Sequence, residues 1–336
     1  MSYDELCDFM AGLSQPPYRA KQLFRWLHRG ARSFDEMTDL SKDLRELLKG
    51  RALLSPPAVE KTLRSKDGTV KYLMRLSDGN AVECVVMPYR HANSLCISTQ
   101  AGCRMGCAFC ASTEKGLARN LTPAEMLDQV IFAGKEYGRR IGSLVLMGVG
   151  EPLDNFDNVM RFLDNIRRPE GLGLSHRHIS LSTCGLADKI HMLAERRLQI
   201  TLSVSLHAPE DSLRSSLMPV NRRFGLSVLM DACRRYIALT GRRISFEYIL
   251  IEGTNDTPDC VRRLDALLSG MLCHVNVIPV NATGRGGFAR CSRQAVERFC
   301  AALRERGLNV TVRRHLGGDI NASCGQLRLN GWRHTV

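Results

Sequence analysis

Residues 103–110 read CRMGCAFC, which sets Cys103, Cys107 and Cys110 in a CxxxCxxC run. Thiols this close together bind a metal or one another. A structural zinc site draws on four ligands, usually in two CxxC pairs, and no second pair follows at a matching distance. A ferredoxin-type run brings its fourth cysteine nearby; this run stops at three. An iron–sulfur cluster held by three cysteines leaves one iron open to a small molecule, and that is the chemistry the run fits best.

Such a loop needs a scaffold, and from about residue 94 the chain alternates in a way that builds one. Apolar, β-rich runs occur at SLCISTQ, SLVLMGVG, HISLSTCG, QITLSVSLH, RISFEYILIEG and HVNVIPVN. Helical patterns such as PAEMLDQVIFAGKEYG, NFDNVMRFLDNI, LADKIHMLAERR and LSVLMDACRRYIALTG lie between them. Six strand–helix units with near-continuous apolar strands predict a parallel sheet covered by helices, in the α/β class. Six is fewer than the eight of a closed barrel, so a partly open barrel is expected. Polar groups gather where the strands end: Gly148, Gly150, Glu151 and Pro152; Ser182 and Thr183; Ser205, Leu206 and His207; Pro279, Val280 and Asn281. In such folds that end carries the active site.

Ahead of the barrel, SQPPYRAKQLFRWLHRG places Leu23, Trp26 and Leu27 at helical spacing, with Gly30 as a stop. Lys21, Arg25 and Arg29 form one row on that helix. Thr38 or Ser41 is expected to cap a second helix around KDLRELLKG. Residues 59–87 read as strands with Asp78-Gly79 as a hairpin turn.

The 336 residues contain no apolar run approaching the roughly 18 needed to span a membrane, and no leader pattern at the start. A soluble, cytoplasmic protein is expected. Thirteen cysteines, an odd count spread from Cys7 to Cys324, argue for metal ligands and reactive thiols rather than a disulfide framework. The formal charge of +13, much of it in Arg pairs dispersed along the chain, favours a polyanionic partner such as RNA.

The cysteine loop after the first strand of a six-unit barrel resembles the radical S-adenosylmethionine (SAM) superfamily, and GVGEP resembles its GGEP segment. A closer resemblance covers nearly the whole chain. RAKQLFRWLHRG…FDEMTDLSKDLRELL, CISTQAGCRMGCAFCASTEKGLARNLTPAEM, LMGVGEPLDNFDNV, LSVSLHAPEDSLRSSLMPVN and GGDINASCGQLR look like the RlmN/Cfr family, which methylates RNA adenine on carbon 2 or carbon 8. The resemblance implies a partial (βα)6 radical SAM barrel with a 4Fe–4S cluster on Cys103, Cys107 and Cys110. It also implies SAM contacts from Gly150, Glu151, Ser182, Ser205, Leu206, His207 and Asn281.

It further implies a route using two SAM molecules per turnover. Cys324 takes a methyl group from the first. A deoxyadenosyl radical from the second removes hydrogen from that S-methyl group, and the resulting carbon radical adds to the adenine. Glu83 removes the ring proton, and Cys96 attacks the Cys324 sulfur to release the product, leaving a transient disulfide. The expected substrates are 23S rRNA and tRNA, with a flavodoxin or ferredoxin as electron donor and the enzyme acting as a monomer. FRWLHRG…FDEMTDL and RRHLGGDINASCGQLR look more like the carbon-2 branch. Carbon-8 methylation of the Cfr type, another radical SAM chemistry on a small molecule, and a non-catalytic iron–sulfur RNA-binding protein are the rival readings.

The expected division is a helical RNA-binding unit (1–55), a β-rich connector (56–92), the barrel (93–315) and a C-terminal tail carrying Cys324 (316–336). Glycines at 317, 318 and 325 predict mobility in that tail. Asn321 and Ser323 stand where the family usually has Asp and Ala, and VNATGRGGF lacks the usual Pro after Asn281. Both departures bear on local contacts rather than on a thiol or cluster ligand.

Overall fold

The structure is a computed structural model that describes residues 1–90, 92–281, 283 and 286–328. Positions 329–336 of the expected tail, and Ala282, Gly284 and Arg285 of the VNATGRGGF loop, lie outside the described residues.

The N-terminal stretch folds as α1 (Tyr3–Gly12), α2 (Pro17–His28) and α3 (Lys42–Arg51). A capping box starts α1: Ser2 Oγ accepts from the Glu5 N–H while the Glu5 carboxylate accepts from the Ser2 N–H. Pro17 occupies the first turn of α2, where a missing N–H costs nothing. Ser41, not Thr38, caps α3. Leu6, Met10, Leu23, Phe24, Phe34, Met37, Leu44 and Leu48 close a small core of their own. The buried face of α2 is Ala20, Leu23, Phe24 and His28. Trp26 stays half-buried because its indole N–H donates to Asp39.

Among the described residues ten strands form one sheet, in the order β1-β2-β3-β4-β7-β8-β9-β10-β11-β12. The first three, β1 (Ala58–Arg64), β2 (Val70–Arg75) and β3 (Ala81–Pro88), are antiparallel. The stretch expected as a separate connector is therefore part of the main sheet, since β3 pairs with β4 (Asn93–Cys96), Val85 opposite Cys96. The parallel strands follow: β4, β7 (Ile141–Leu146), β8 (Ile179–Thr183), β9 (Thr201–Ser205), β10 (Ile244–Leu250) and β11 (Cys273–Pro279). A further parallel strand, β12 (Val310–Val312), extends the expected six. Three residues are too short to leave a periodic signal. Among the described strands β1 and β12 do not pair, so the barrel is open.

Helices cover the outer face: α4 (Pro123–Tyr137), α5 (Phe156–Ile166), α6 (Ala187–Glu195), α7 (Asp211–Leu217), α8 (Leu226–Thr240), α9 (Pro258–Leu268) and α10 (Arg293–Glu305). The run SLCISTQ is broken after Cys96. Its end becomes β5 (Gln100–Gly102), paired with β6 (Leu117–Asn120) as a separate hairpin that frames the cysteine loop. Gly102 makes that closure possible: its φ is +84°, and a Cβ there would lie 2.0 Å from the Gly116 carbonyl oxygen.

Candidate active site

The cysteine loop is fixed by backbone bonds reaching three separate elements. The Cys103 N–H donates to Gly116 O (2.9 Å), Ala108 N–H to Leu217 O at the end of α7 (2.9 Å), and Ala111 N–H to Gly325 O in the tail (2.8 Å). Cys103 and Cys107 are buried and Cys110 half-buried, all on the wall of one cavity of about 900 Å³ with its mouth included. Burial, and then the neighbouring thiols, pushes Cys103 up to about 12 and Cys107 well above the ordinary thiol range. Among the described residues no group of three or more His, Cys, Asp or Glu converges tightly enough to hold a metal ion. The three thiols line one cavity and are near enough to raise one another's pKa.

The opposite wall is made by strand ends. Gly148 passes so close to β4 that a Cβ would sit 2.6 Å from the Ile97 carbonyl oxygen, and Gly150 has φ +108° with Gln100 at 2.6 Å. Only glycine fits either place, and together they present Glu151 to the cavity. That carboxylate is 4 % exposed and accepts from the backbone N–H of Cys184 (2.7 Å) and Leu153 (3.0 Å). Burial raises its pKa against those bonds. A buried carboxylate with lone pairs still available suits an ammonium partner.

Ser182, Ser205 and His207 line the same cavity. His207 adopts a left-handed φ of +58° and its Nδ1 accepts from the Ile249 N–H (3.0 Å), so the remaining ring proton sits on Nε2. Burial and the nearby Arg214 guanidinium push its pKa down to about 3, leaving the ring neutral. Phe109 of the cysteine loop meets it edge-on at 4.9 Å. Leu206 is buried and does not line the cavity; its N–H and C=O are used on Glu247 and Arg214.

Sequence reasoning missed Arg214. The guanidinium is fully buried and donates to the carbonyls of Cys184 (2.7 Å), Ser205 (3.0 Å) and Leu206 (3.1 Å) and to Asn221 Oδ1 (2.8 Å). It ties β8, β9 and α7 together beneath the cavity. The available signal was an arginine three residues before Leu217, on the apolar face of a short helix.

The remaining expected residues sit on a different face. Glu83, Val85 and Met87 alternate along β3, and Val85 pairs with Cys96, so Glu83 and Cys96 point to the same side of the sheet. The tail packs there: Cys96, Val85, Val149, Ala322 and Leu327 form one apolar cluster. A second cavity of about 600 Å³ is lined by Cys96, Cys324, Asn281, Arg290, Arg313 and His315 among others. Burial, and then Cys324, pushes the Cys96 thiol up to about 12. Asn281 lines this second cavity and not the first; its side-chain amide donates to the Cys324 carbonyl (3.1 Å) and accepts from Arg290 (3.2 Å). Glu83 lines neither cavity. It is 1 % exposed, paired with Lys71 at 3.1 Å, and accepts from the Arg328 N–H at 3.0 Å. Cys324 and Arg313 line both cavities. Among the described residues no disulfide joins any of the cysteines.

The described part of the tail, expected to be mobile, is strapped down. Gly317 N–H donates to Asp67 (2.8 Å), Lys66 N–H to Asp319 (3.3 Å), Lys71 Nζ to Asn321 O (3.0 Å) and Ser112 Oγ to Leu327 O (2.7 Å). On α2, Arg25 and Arg29 are exposed and Lys21 half-buried. Among the described residues no helix is long and apolar enough to cross a membrane.

The family model for the radical SAM superfamily matches residues 97–263, and that for the ribosomal RNA large subunit methyltransferase N-terminal domain matches residues 1–54. A probable dual-specificity RNA methyltransferase RlmN from Desulforamulus reducens is 52% identical over 330 residues, covering 98% of this chain and 94% of its own. The chain belongs to the RlmN family. Its counterpart in Lachnospira eligens is 48% identical over 332 residues, with 98% and 94% covered. The crystal structure of a radical SAM methyltransferase from Sphaerobacter thermophilus superposes with a TM-score of 0.93 at 44% identity, covering 97% of each chain. The α/β radical SAM fold, with its parallel sheet and N-terminal helical region, follows. RlmN chains share a superfamily whose members use a 4Fe–4S cluster and SAM. The donors present fit: three thiols around one cavity, and a buried carboxylate opposite them.

Proposed function

We propose that this RlmN-family chain methylates carbon 2 of adenosine in large-subunit rRNA and in tRNA, through a methyl group carried on Cys324. The observation that carries this reading is the position of Cys324. It is shared between the cavity of the cysteine loop and the cavity of Cys96, while neither of those groups lines the other's cavity. A thiol in that place can be loaded from one side and resolved from the other.

Cys103, Cys107 and Cys110 hold the cluster, and Gly150, Glu151, Ser182, Ser205, Leu206 and His207 form the SAM wall, Leu206 through its backbone. Asn281 acts beside them by holding the Cys324 turn. When bound, cluster and SAM supply the radical that removes hydrogen from the S-methyl group, and two SAM molecules are used per turnover. Adenine carbon 2 is electron-poor and does not attack an ordinary methyl donor, so the methylene must come to it on Cys324. Glu83 takes the ring proton, and the odd electron left on the adduct would return to the cluster, which gives up one electron when SAM is cleaved. The Cys96 thiolate then attacks the Cys324 sulfur: an S–S bond forms, the S–CH₂ pair goes to the methylene carbon, and that carbon takes a proton to become the methyl. A cellular dithiol reduces the disulfide.

The donor of the electron is a flavodoxin or ferredoxin. Residues 1–55 contact RNA, with Lys21, Arg25 and Arg29 neutralising phosphate. Residues 56–92 supply the base, 93–315 the barrel and 316–336 the carrier thiol, in an enzyme acting as a monomer. Mass spectrometry of digested rRNA and tRNA, treated with the reconstituted protein, tests the reading. 2-Methyladenosine is expected in both; 8-methyladenosine as the main product, or no methylation, overturns it.

A further inference from the structure

Among the described residues Lys71 is the strongly buried lysine whose ammonium touches a proposed reacting group. It lies on β2 opposite Val85, while Glu83 lies opposite Leu73. In an antiparallel pair this puts both side chains on one face, on a diagonal. The Nζ is 3.1 Å from Glu83 Oε1 and 3.0 Å from the carbonyl oxygen of Asn321, three residues before Cys324. The side chains are 5 % and 1 % exposed. One ammonium therefore spans the carboxylate and the turn that bears the carrier thiol.

We propose that Lys71 is the positioning residue for Glu83: it holds the carboxylate ionised in a dry site and registers it against the Cys324 turn. This rests on the reading of Glu83 as the base. A carboxylate buried this deeply is pushed toward its neutral form, which cannot accept a proton, unless a partner offsets the desolvation. Burial does raise the pKa of Glu83, with the Lys71 charge and the Arg328 N–H acting against it. The titratable and charged groups facing Glu83 are Lys71 from β2 and Arg328 from the tail, with Cys84 as its chain neighbour. Arg328 gives Glu83 its backbone N–H, while its guanidinium is engaged with Thr283 O (2.9 Å) and Glu114 (3.4 Å). Lys71 is thus the cation in direct contact.

The sign follows. Removing the Lys71 charge removes a lowering influence, so the pKa of Glu83 rises further and the acid limb of turnover moves to higher pH. Lys71→Gln deletes the charge while keeping a donor for Asn321. It should shift that limb by about one pH unit, an approximately tenfold loss of rate on the limb. Lys71→Arg should leave the limb near wild type, and mass spectrometry should find methylated Cys324 in both variants, because loading precedes the base. An infrared difference spectrum of wild type against Glu83→Gln, taken on the apoprotein at neutral pH, should show a carboxylate band. A protonated carboxyl band there, or a Lys71→Gln limb that coincides with wild type, overturns the proposal. Normal turnover by Glu83→Gln would instead remove Glu83 as the base, a separate failure that leaves the Lys71–Glu83 contact as structure only.

Discussion

The wall of strand ends and the face under the tail meet at Cys324 but are built by different means. The strand-end wall grows out of the core: Gly148, Glu151, His207 and Arg214 are placed by β7, β8, β9 and β10, whose apolar residues belong to the largest buried cluster. The tail face joins residues 66–112 to residues 281–328 through individual hydrogen bonds over long sequence separations. Rigid backbone suits a group that must be held the same way at every turnover. A strapped segment suits the role proposed for Cys324, a thiol alkylated, joined to RNA and then resolved. Breaking the first wall should cost global stability, and breaking the second should release the tail locally.

The larger effect belongs to Arg214. Arg214→Met leaves three carbonyls and the Asn221 side chain without their donor, at about 1 kcal/mol each, so roughly 2–4 kcal/mol of stability should go. Urea unfolding followed by circular dichroism measures it. A change inside experimental scatter would mean the strand ends hold themselves.

Much of the strand-end wall was legible in the sequence, because apolar runs ending in Gly, Ser or His mark the mouth of a parallel barrel without further information. The three-cysteine run needed only its spacing, while GVGEP was read through its resemblance to the GGEP segment. Arg214 was not legible, since a buried arginine on a short amphipathic helix reads as a solvated charge. On the tail face Glu83 and Cys96 were found through resemblance alone. Their shared side of the sheet depends on the β3–β4 register, and the tail's position depends on Asp67, Lys71 and Asp319, none of which carries a local pattern. The glycines at 317, 318 and 325 signalled freedom where the fold uses Gly317 in a left-handed turn packed on Thr69.

The smaller effect belongs to Asp67. Its carboxylate accepts from the N–H of Gly317 and of Thr69, and hydrogen bonding lowers its pKa to about 2 against the push of desolvation. A depressed carboxylate stabilises the folded tail above the unfolded value near 3.8, and that support is lost as pH falls from about 3.8 to about 2. Asp67 is exposed, so the contribution is modest. Asp67→Ala should lower protection of the Gly317 amide in hydrogen exchange by about 1 kcal/mol, with core amides of β9 and β10 unchanged. Equal loosening of tail and core would erase the distinction between the two regions.

The two-cavity position of Cys324 is tested most directly by trapping the enzyme between its two halves. Cys96→Ala protein, reconstituted with cluster and SAM and given RNA under reducing conditions, should accumulate a covalent protein–RNA species. Nuclease and protease digestion with mass spectrometry should locate the bond at Cys324. Cys324→Ala should form none. If both variants are inactive and free of adduct, Cys96 does not resolve Cys324, and the passage of one thiol between two cavities is wrong.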